Sequence, residues 1–191
     1  MLCSVVIPSR NCVTWLPHAV QSVLDQDHRE LEVIIVNDGS TDRTEHYLEW
    51  LKEKKDSRIK IVRTVGIGRS AARNLGNAEA SGEFIFVLDA DDLAAPNRLS
   101  LTVKKREANG AEFIYSSATI IDCIGKKIGE VRADVFNKER ALETMLNHII
   151  HSSVAYTKEF SKQYPYPEGE LADLGLDDWS QQIRAALSGV K

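Results

Sequence analysis

Short apolar runs alternate with helix-period patterns through the first half of this 191-residue chain, and few architectures tolerate that pattern. Residues 4–8, SVVIP, read as a first strand. Trp15, Leu16, Ala19, Val20, Val23 and Leu24 then recur at offsets of 3, 4 and 7, placing them on one face of a helix over 15–26. LEVIIVN at 31–37 is a second strand, and Asp42 with Glu45 makes a capping box for a helix carrying Tyr47, Leu48 and Leu51. IKIVRTV at 59–65 is a third strand, followed by a small-residue helix over 70–80 that Gly82 terminates. FIFVLDADD at 84–92 holds the fourth. Pro96 stands where the next helix begins, Leu99, Leu101 and Val103 give it apolar positions, and Gly110 closes it before a fifth strand, EFIYSSATI at 112–120.

Such alternation predicts an α/β fold, a mostly parallel central sheet with helices on both faces and right-handed crossovers. All loops leaving the strands then share one edge, where ligands bind near a switch in strand order. Those loops are PSRN at 8–11, NDGSTD at 37–42, GIGRSAARN at 66–74 and DADD at 89–92. Past Asp122 the alternation weakens: Gly125 and Gly129 predict a turn between two strands, and 138–147 reads as helix.

The length suits one domain able to bury a core without disulfides or a structural metal. A hydrophobic fraction of 43% and a charged fraction of 27% are those of a globular protein, with no run approaching a membrane span and no signal peptide. The net charge of −4, with Lys and Arg dispersed, argues against bulk binding to nucleic acid. Cys3, Cys12 and Cys123 are scattered without CxxC spacing, which predicts reduced thiols in the cytoplasm; peripheral attachment at the inner face of a membrane stays open.

In FIFVLDADD a buried strand runs directly into Asp89, Asp91 and Asp92. Two carboxylates roughly 5 Å apart repel by about 3 kcal/mol at an effective dielectric of about 20, so the cluster calls for a cation. A hard divalent metal held by oxygen ligands and a substrate phosphate answers that need. The ordinary alternative is one capping Asp beside solvated charge.

Gly66, Gly68 and Ala71 satisfy the GxGxxA dinucleotide fingerprint, with Asp89 about 20 residues on. Two further carboxylates there would repel a pyrophosphate unless a metal intervened, and the fingerprint sits on the third unit rather than the first. Arg73, in the first turns of that helix, offers a donor to a base, ribose or phosphate; on its own it reads equally as one half of a surface ion pair. An NAD oxidoreductase is therefore the weakest reading.

Together these loops resemble the family 2 glycosyltransferases, inverting enzymes of the Rossmann-like A-type fold that use nucleotide sugars. VVIPSRN at 5–11 is similar to the family's opening strand and loop, EVIIVNDGSTD at 32–42 to its second, SAARNLG at 70–76 to its ARN helix, and LDADD at 88–92 to its metal-binding DxD. SSVAYTKE at 152–159 is similar to the strand before the acceptor region, and LDDWSQQIR at 176–184 to the ED motif.

The resemblance implies a nucleotide-sugar pocket of Pro8, Ser9, Asp38, Arg73, Asp89 and Ala90, with Asp38 reaching the base and Asp89 the ribose. Asp91 would ligate Mg2+ or Mn2+ bridging the diphosphate, with Asp92 in support, and Asp178 would be the catalytic base. It further implies a UDP-sugar donor, an acceptor hydroxyl on an unknown glycan, lipid or protein, and a place in polysaccharide biosynthesis. Residues 1–121 would bind the donor and 122–191 would form the acceptor side of one catalytic domain.

Three departures qualify that likeness: Gly66 where the family commonly has Asn, Asp177 where Glu is usual, and an end at Lys191 soon after the ED helix. An incomplete acceptor side is expected, whether from a trimmed longer protein, a working partner or a degenerate member. A non-catalytic nucleotide or carbohydrate-binding module is thus the leading alternative. A nucleotidyltransferase would need a glycine-rich basic loop after the first strand, and PSRN has no glycine. His148 and His151 share i, i+3 spacing, but without a third ligand they read as packing or surface residues.

Overall fold

The computed structural model describes residues 1–144 and 149–189. Four parallel strands form the centre: β1 (Cys3–Ser9), β2 (Leu31–Asp38), β3 (Ile59–Thr64) and β4 (Phe84–Val87). β1, β2 and β4 are short apolar runs buried on both faces, as the interior of a parallel sheet requires, while β3 at the edge is half-exposed with Lys60 and Arg63 outward. Two short strands, β5 (Phe113–Ile114) and β8 (Ala155–Thr157), complete the sheet in the order β3-β2-β1-β4-β8-β5. Since β8 runs antiparallel to both neighbours, the sheet is mostly parallel, as expected.

Alternating side chains sort the core into two layers. Val5, Ile7, Val33, Ile35, Phe84 and Phe86 face α1 (Leu16–Leu24), α2 (Thr44–Glu53) and α4 (Arg98–Asn109). Val6, Ile34, Val36, Ile85 and Val87 face α3 (Arg69–Glu79), α6 (Lys158–Gln163) and α8 (Asp177–Leu187). Gly76 permits the close approach of α3: a Cβ there would stand 2.3 Å from Val6 Cγ1 and 3.2 Å from Val36 Cγ2. Connections run from β1 to β2 on one side and from β3 across to β4 on the other, so the switch in strand order falls between β1 and β4.

Several local expectations are corrected. Asp42 and Glu45 form no capping box. The cap of α2 is Arg43 without a side-chain bond, while Asp42 accepts from the amides of Thr44 and Val13 and Glu45 pairs with Arg63. Gly82 does not end α3, which stops at Glu79. Its role is steric, since a Cβ would meet Ser4 Oγ at 2.6 Å and Leu2 O at 2.7 Å. Helix α4 begins two residues beyond Pro96 and leaves Leu101 exposed, while Gly110 does close it in the left-handed region at φ 69. Val65 lies outside β3 and is 96% exposed.

The stretch 112–120 is not one strand. It pairs with β8 only at Phe113 and Ile114, because β8 is preceded by a 3-10 turn over His151–Ser153 that offers no ladder. Ser116 N–H bonds instead to Ser153 Oγ, and β6 (Ala118–Ile121) turns into a separate hairpin with β7 (Lys127–Val131). Gly125 sits in that turn at φ 82, but Gly129 lies within β7. The predicted helix over 138–147 is α5 (Lys138–Thr144) as far as the described residues go, and α7 (Glu170–Asp173) is a single turn. Among the described residues no helix is long and apolar enough to cross a membrane.

Candidate functional site

A cleft of about 470 Å³, open to solvent, lies at the carboxyl ends of β1 and β4. Pro8, Ser9, Asp38, Arg73, Asp89, Ala90 and Asp91 all line it, so seven of the eight expected site residues come together. Asp178, the eighth, is not among the lining residues; it stands in the first turn of α8. Arg10, Cys12, Gly68 and Arg69 also line the cleft, and their part was not read from the sequence.

The loops brace one another. Asn11, at φ 55, accepts the amides of Thr41 and Asp42 and donates its own amide to Ser40 Oγ. Gly39, at φ 65, brings its loop against backbone: a Cβ would be 2.8 Å from Gly66 N. Asp38 accepts Ile67 N–H at 2.6 Å and Gly68 N–H at 2.9 Å, and Thr64 donates to it as well. Burial works against the Asp38 charge, yet these donors outweigh it and hold the carboxyl below its usual range. Asp38 therefore sets the glycine turn that opens α3 while facing the cleft.

Arg69 and Arg73 project from α3 four residues apart, a spacing that puts both on one face. Arg73 is 4% exposed and bridges two carboxylates, NH2 to Asp89 Oδ1 at 2.8 Å and NH1 to Asp177 Oδ2 at 2.6 Å. It is not a surface ion pair. Asp177, 1% exposed, also accepts from Arg69 NH2 at 2.7 Å and Ser70 Oγ at 3.2 Å. Burial alone would raise both carboxyls, but the arginines leave Asp89 and Asp177 depressed. Negative charge at the start of α8 also suits its dipole.

At the end of β4, Asp89 N–H donates to Ser152 Oγ and Ala90 is buried. Arg98 braces the strand beneath, donating NH2 to the carbonyls of Val87 and Val154 with its guanidinium 5.6 Å from the Phe86 ring centroid. Burial lowers Arg98 to about 10, which leaves it charged at neutral pH. Loss of solvent raises the Asp92 carboxyl, and Asp89 and Asp91 push it further. Asp91 itself is exposed and, among the described residues, makes no hydrogen bond or ion pair.

The described residues hold no group of three His, Cys, Asp or Glu that could cage a metal. An exposed Asp91 carboxylate could contribute oxygen to a hard cation such as Mg2+ or Mn2+, with the other ligands coming from substrate or water. Two buried polar atoms of the cleft residues, Ser9 Oγ and Arg73 Nε, have no hydrogen-bond partner among the described residues. His148 lies outside the described residues; His151 is buried between Tyr166 and Asp178, as a packing role would require.

The family profile described as Glycosyl transferase family 2 matches residues 4–162. The chain belongs to that family. An uncharacterized glycosyltransferase of Rickettsia bellii is 38% identical over 134 residues, 70% of this chain and 19% of that protein. The Escherichia coli UDP-Glc:alpha-D-GlcNAc-diphosphoundecaprenol beta-1,3-glucosyltransferase WfgD is 33% identical over 122 residues, 63% of this chain and 47% of that enzyme. S. aureus TarS in complex with UDP superimposes with a TM-score of 0.69 at 20% identity, covering 95% of this chain and 53% of that one. The mannosyltransferase PcManGT from Pyrobaculum calidifontis, in complex with GDP-Man and Mn2+, does so at 0.73 and 19%, covering 99% and 53%. At such identities the likeness is one of fold, the A-type glycosyltransferase fold. The chain spans about half or less of the length of these relatives.

Of the expected residues, Asp177 carried more than its sequence context disclosed, and Arg69, Ser70, Ser152 and Arg98 were missed. The Arg69 spacing to Arg73 was a usable signal. The partners of Asp177 were not, since those contacts span more than 100 residues of chain.

Proposed function

We propose that this chain is one catalytic domain of a metal-dependent, inverting glycosyltransferase, with residues 1–121 binding a nucleotide-diphosphate sugar and 122–191 forming the acceptor side. The observation that carries this reading is the cleft at the strand switch. There an exposed, unpaired Asp91 adjoins buried, unsatisfied donors on Ser9 and Arg73, the complement a diphosphate and its cation would need.

Pro8, Ser9, Asp38, Arg73 and Ala90 line the nucleotide, Asp89 approaches the ribose, and Asp91 holds Mn2+ or Mg2+. When bound, that metal supplies Lewis-acid stabilisation of the departing diphosphate. Burial raises the Asp178 carboxyl, opposed by the Trp179 amide at 2.7 Å, which suits a base. The acceptor oxygen bonds to the anomeric carbon as its proton passes to Asp178, while the bond to the diphosphate breaks and the nucleotide leaves with the electron pair. A UDP-sugar is favoured by the UDP complex of TarS and the donor in WfgD's name; PcManGT makes GDP-mannose the second choice. Three free cysteines favour the cytoplasm.

A donor screen tests this, reading nucleotide release from UDP- and GDP-sugars with manganese. Release by the wild type, lost in Asp178→Asn and Asp91→Asn, is expected. UDP binding without release of any sugar would favour the non-catalytic binding module, and undiminished release by Asp91→Asn would remove the metal from that residue.

A further inference from the structure

Behind Asp178 lies a buried polar chain that the site described above does not use. His151 is 8% exposed at its side chain, and its Nδ1 stands 3.9 Å from Asp178 Oδ2. Its Nε2 is 3.2 Å from the Tyr166 hydroxyl, which is 3.1 Å from the Tyr156 hydroxyl, and Asn77 Nδ2 donates to Tyr156 at 3.1 Å. Both tyrosines are buried, and the Arg73 guanidinium lies 5.5 Å from the Tyr166 ring centroid.

The Tyr156 hydroxyl stands 3.1 Å from Asn77 Nδ2 and 3.3 Å from Asn77 Oδ1, and either tyrosine can donate to the other. The arrangement that serves His151 has Asn77 Nδ2 donating to Tyr156 and the Tyr166 proton donated to Nε2. An imidazole accepting at Nε2 carries its proton on Nδ1 when neutral, and Nδ1 is the atom that faces Asp178. That Nδ1 is buried without a hydrogen-bond partner among the described residues, and a closing of about 1 Å would bring it within bonding distance of the carboxylate. The charged groups around the pair are Arg69 and Arg73 from α3, Asp89 at the end of β4, and Asp177 in α8.

We propose that His151 is a positioning residue for Asp178: its neutral, Nδ1-protonated imidazole, held in that tautomer by Tyr166, donates to Oδ2 and keeps the carboxylate oriented and ionised. This rests on the reading of Asp178 as the base. Burial first, then the Arg73 charge, depresses His151 to about 3, so the ring stays neutral through the pH range in which the enzyme would work. A neutral donor lowers the affinity of the carboxylate for a proton without becoming an acid that competes with it.

The test is nitrogen-15 NMR of the His151 ring in the whole chain, with carbon-13 titration of the Asp178 carboxyl in wild type, His151→Phe and His151→Asn. The expected result is a neutral Nδ1-protonated ring, an upward shift of the Asp178 titration in His151→Phe, and recovery toward wild type in His151→Asn, whose amide reaches from the position of Nδ1. The acid limb of nucleotide release from UDP-glucose or GDP-mannose, whichever the chain turns over, should move upward with it. The rate above that limb should fall about ten- to a hundredfold, as expected for one lost bond to a charged group.

An Nε2-protonated ring, or an Asp178 titration unmoved in folded His151→Phe, overturns the proposal. Should His151→Phe fail to fold, the ring tautomer of the wild type and the titration in His151→Asn decide it. If Asp178→Asn leaves nucleotide release intact, the reading of Asp178 as base falls whatever the ring shows. If that variant is inactive while His151→Phe leaves both the titration and the pH limb in place, only the pairing falls.

Discussion

Arg73 and Asp177 stand 104 residues apart in sequence, and their NH1 and Oδ2 atoms meet at 2.6 Å. The same guanidinium reaches Asp89 at 2.8 Å, so one side chain ties the first turn of α8 to the end of β4. The residue after Asp177 is Asp178, so its placement relative to the cleft depends on this bridge. Two depressed carboxyls and a buried arginine form a unit that is stable only when complete.

Removing the bridge should be costly. Arg73→Ala leaves the buried Asp177 beside a single exposed arginine and the half-buried Asp89 without its partner, and a broken buried pair typically costs about 3–5 kcal/mol. Urea denaturation of the variant should show a loss in that range. Arg73→Lys should recover only part of it, because an ammonium cannot present two parallel donors to two carboxylates. A loss below about 1 kcal/mol, the size of a surface pair, would contradict the bridge.

Acid stability follows from the same unit. Asp89 and Asp177 titrate below their ordinary range in the folded chain, because the arginines outweigh the burial that would raise them. Their contribution is full above the unfolded value of about 3.9 and is lost as pH falls through the depressed folded values. Asp92 and Asp178 shift upward and act in the opposite sense over a higher window, losing their destabilising effect as they protonate. Stability measured in urea from about pH 6 down to pH 2 should therefore fall mainly below about pH 4, with a shallower fall in Asp177→Asn. Equal slopes in the two proteins would show that Asp177 is not depressed.

Packing of α3 on the sheet gives a test of opposing magnitudes. Alanine in place of a mid-helix glycine gains up to about 1 kcal/mol in propensity, whereas overpacking a tight core costs about 1–3 kcal/mol. At Gly76 the new Cβ would lie 2.3 Å from Val6 Cγ1, so the steric cost wins and Gly76→Ala should lower the melting temperature. Combining it with Val6→Ala should cost less than the sum of the two single losses. A stabilised Gly76→Ala would mean that α3 stands off the sheet.

The start of α2 discriminates between a capping box and the observed bracing. Asp42 accepts the amides of Val13 and Thr44 at 3.2 and 2.9 Å, so Asp42→Ala should cost about 1 kcal/mol. Glu45 makes a half-exposed pair with Arg63, and Glu45→Ala should cost about 0–1 kcal/mol. A larger loss from Glu45→Ala than from Asp42→Ala in thermal melts would restore the box.

Much of the sheet was legible because β1, β2 and β4 are buried on both sides and read as apolar runs between turn residues. The loops at 8–11, 37–42, 66–74 and 89–92 were placed at one edge by that topology alone. What stayed hidden depended on distant contacts. Nothing in AYT at 155–157 tells that it inserts beside β4 in the antiparallel sense, and Ser116 leaves the sheet only because Ser153 offers it a partner. Asp42 and Glu45 had the spacing of a cap, yet Val13 and Arg63 competed for their side chains. Asp177 read only as a departure from the ED motif, since the arginines that bind it come from α3.

The central claim is that the cleft takes a nucleotide diphosphate through a cation held on Asp91. Isothermal titration of UDP and GDP, with and without manganese, into the wild type and Asp91→Asn measures it directly. Manganese should tighten binding of one nucleotide to the wild type by tenfold or more, about 1.4 kcal/mol, and Asp91→Asn should lose most of that gain. Binding that ignores the metal, or a metal effect that survives unchanged in Asp91→Asn, would contradict the account.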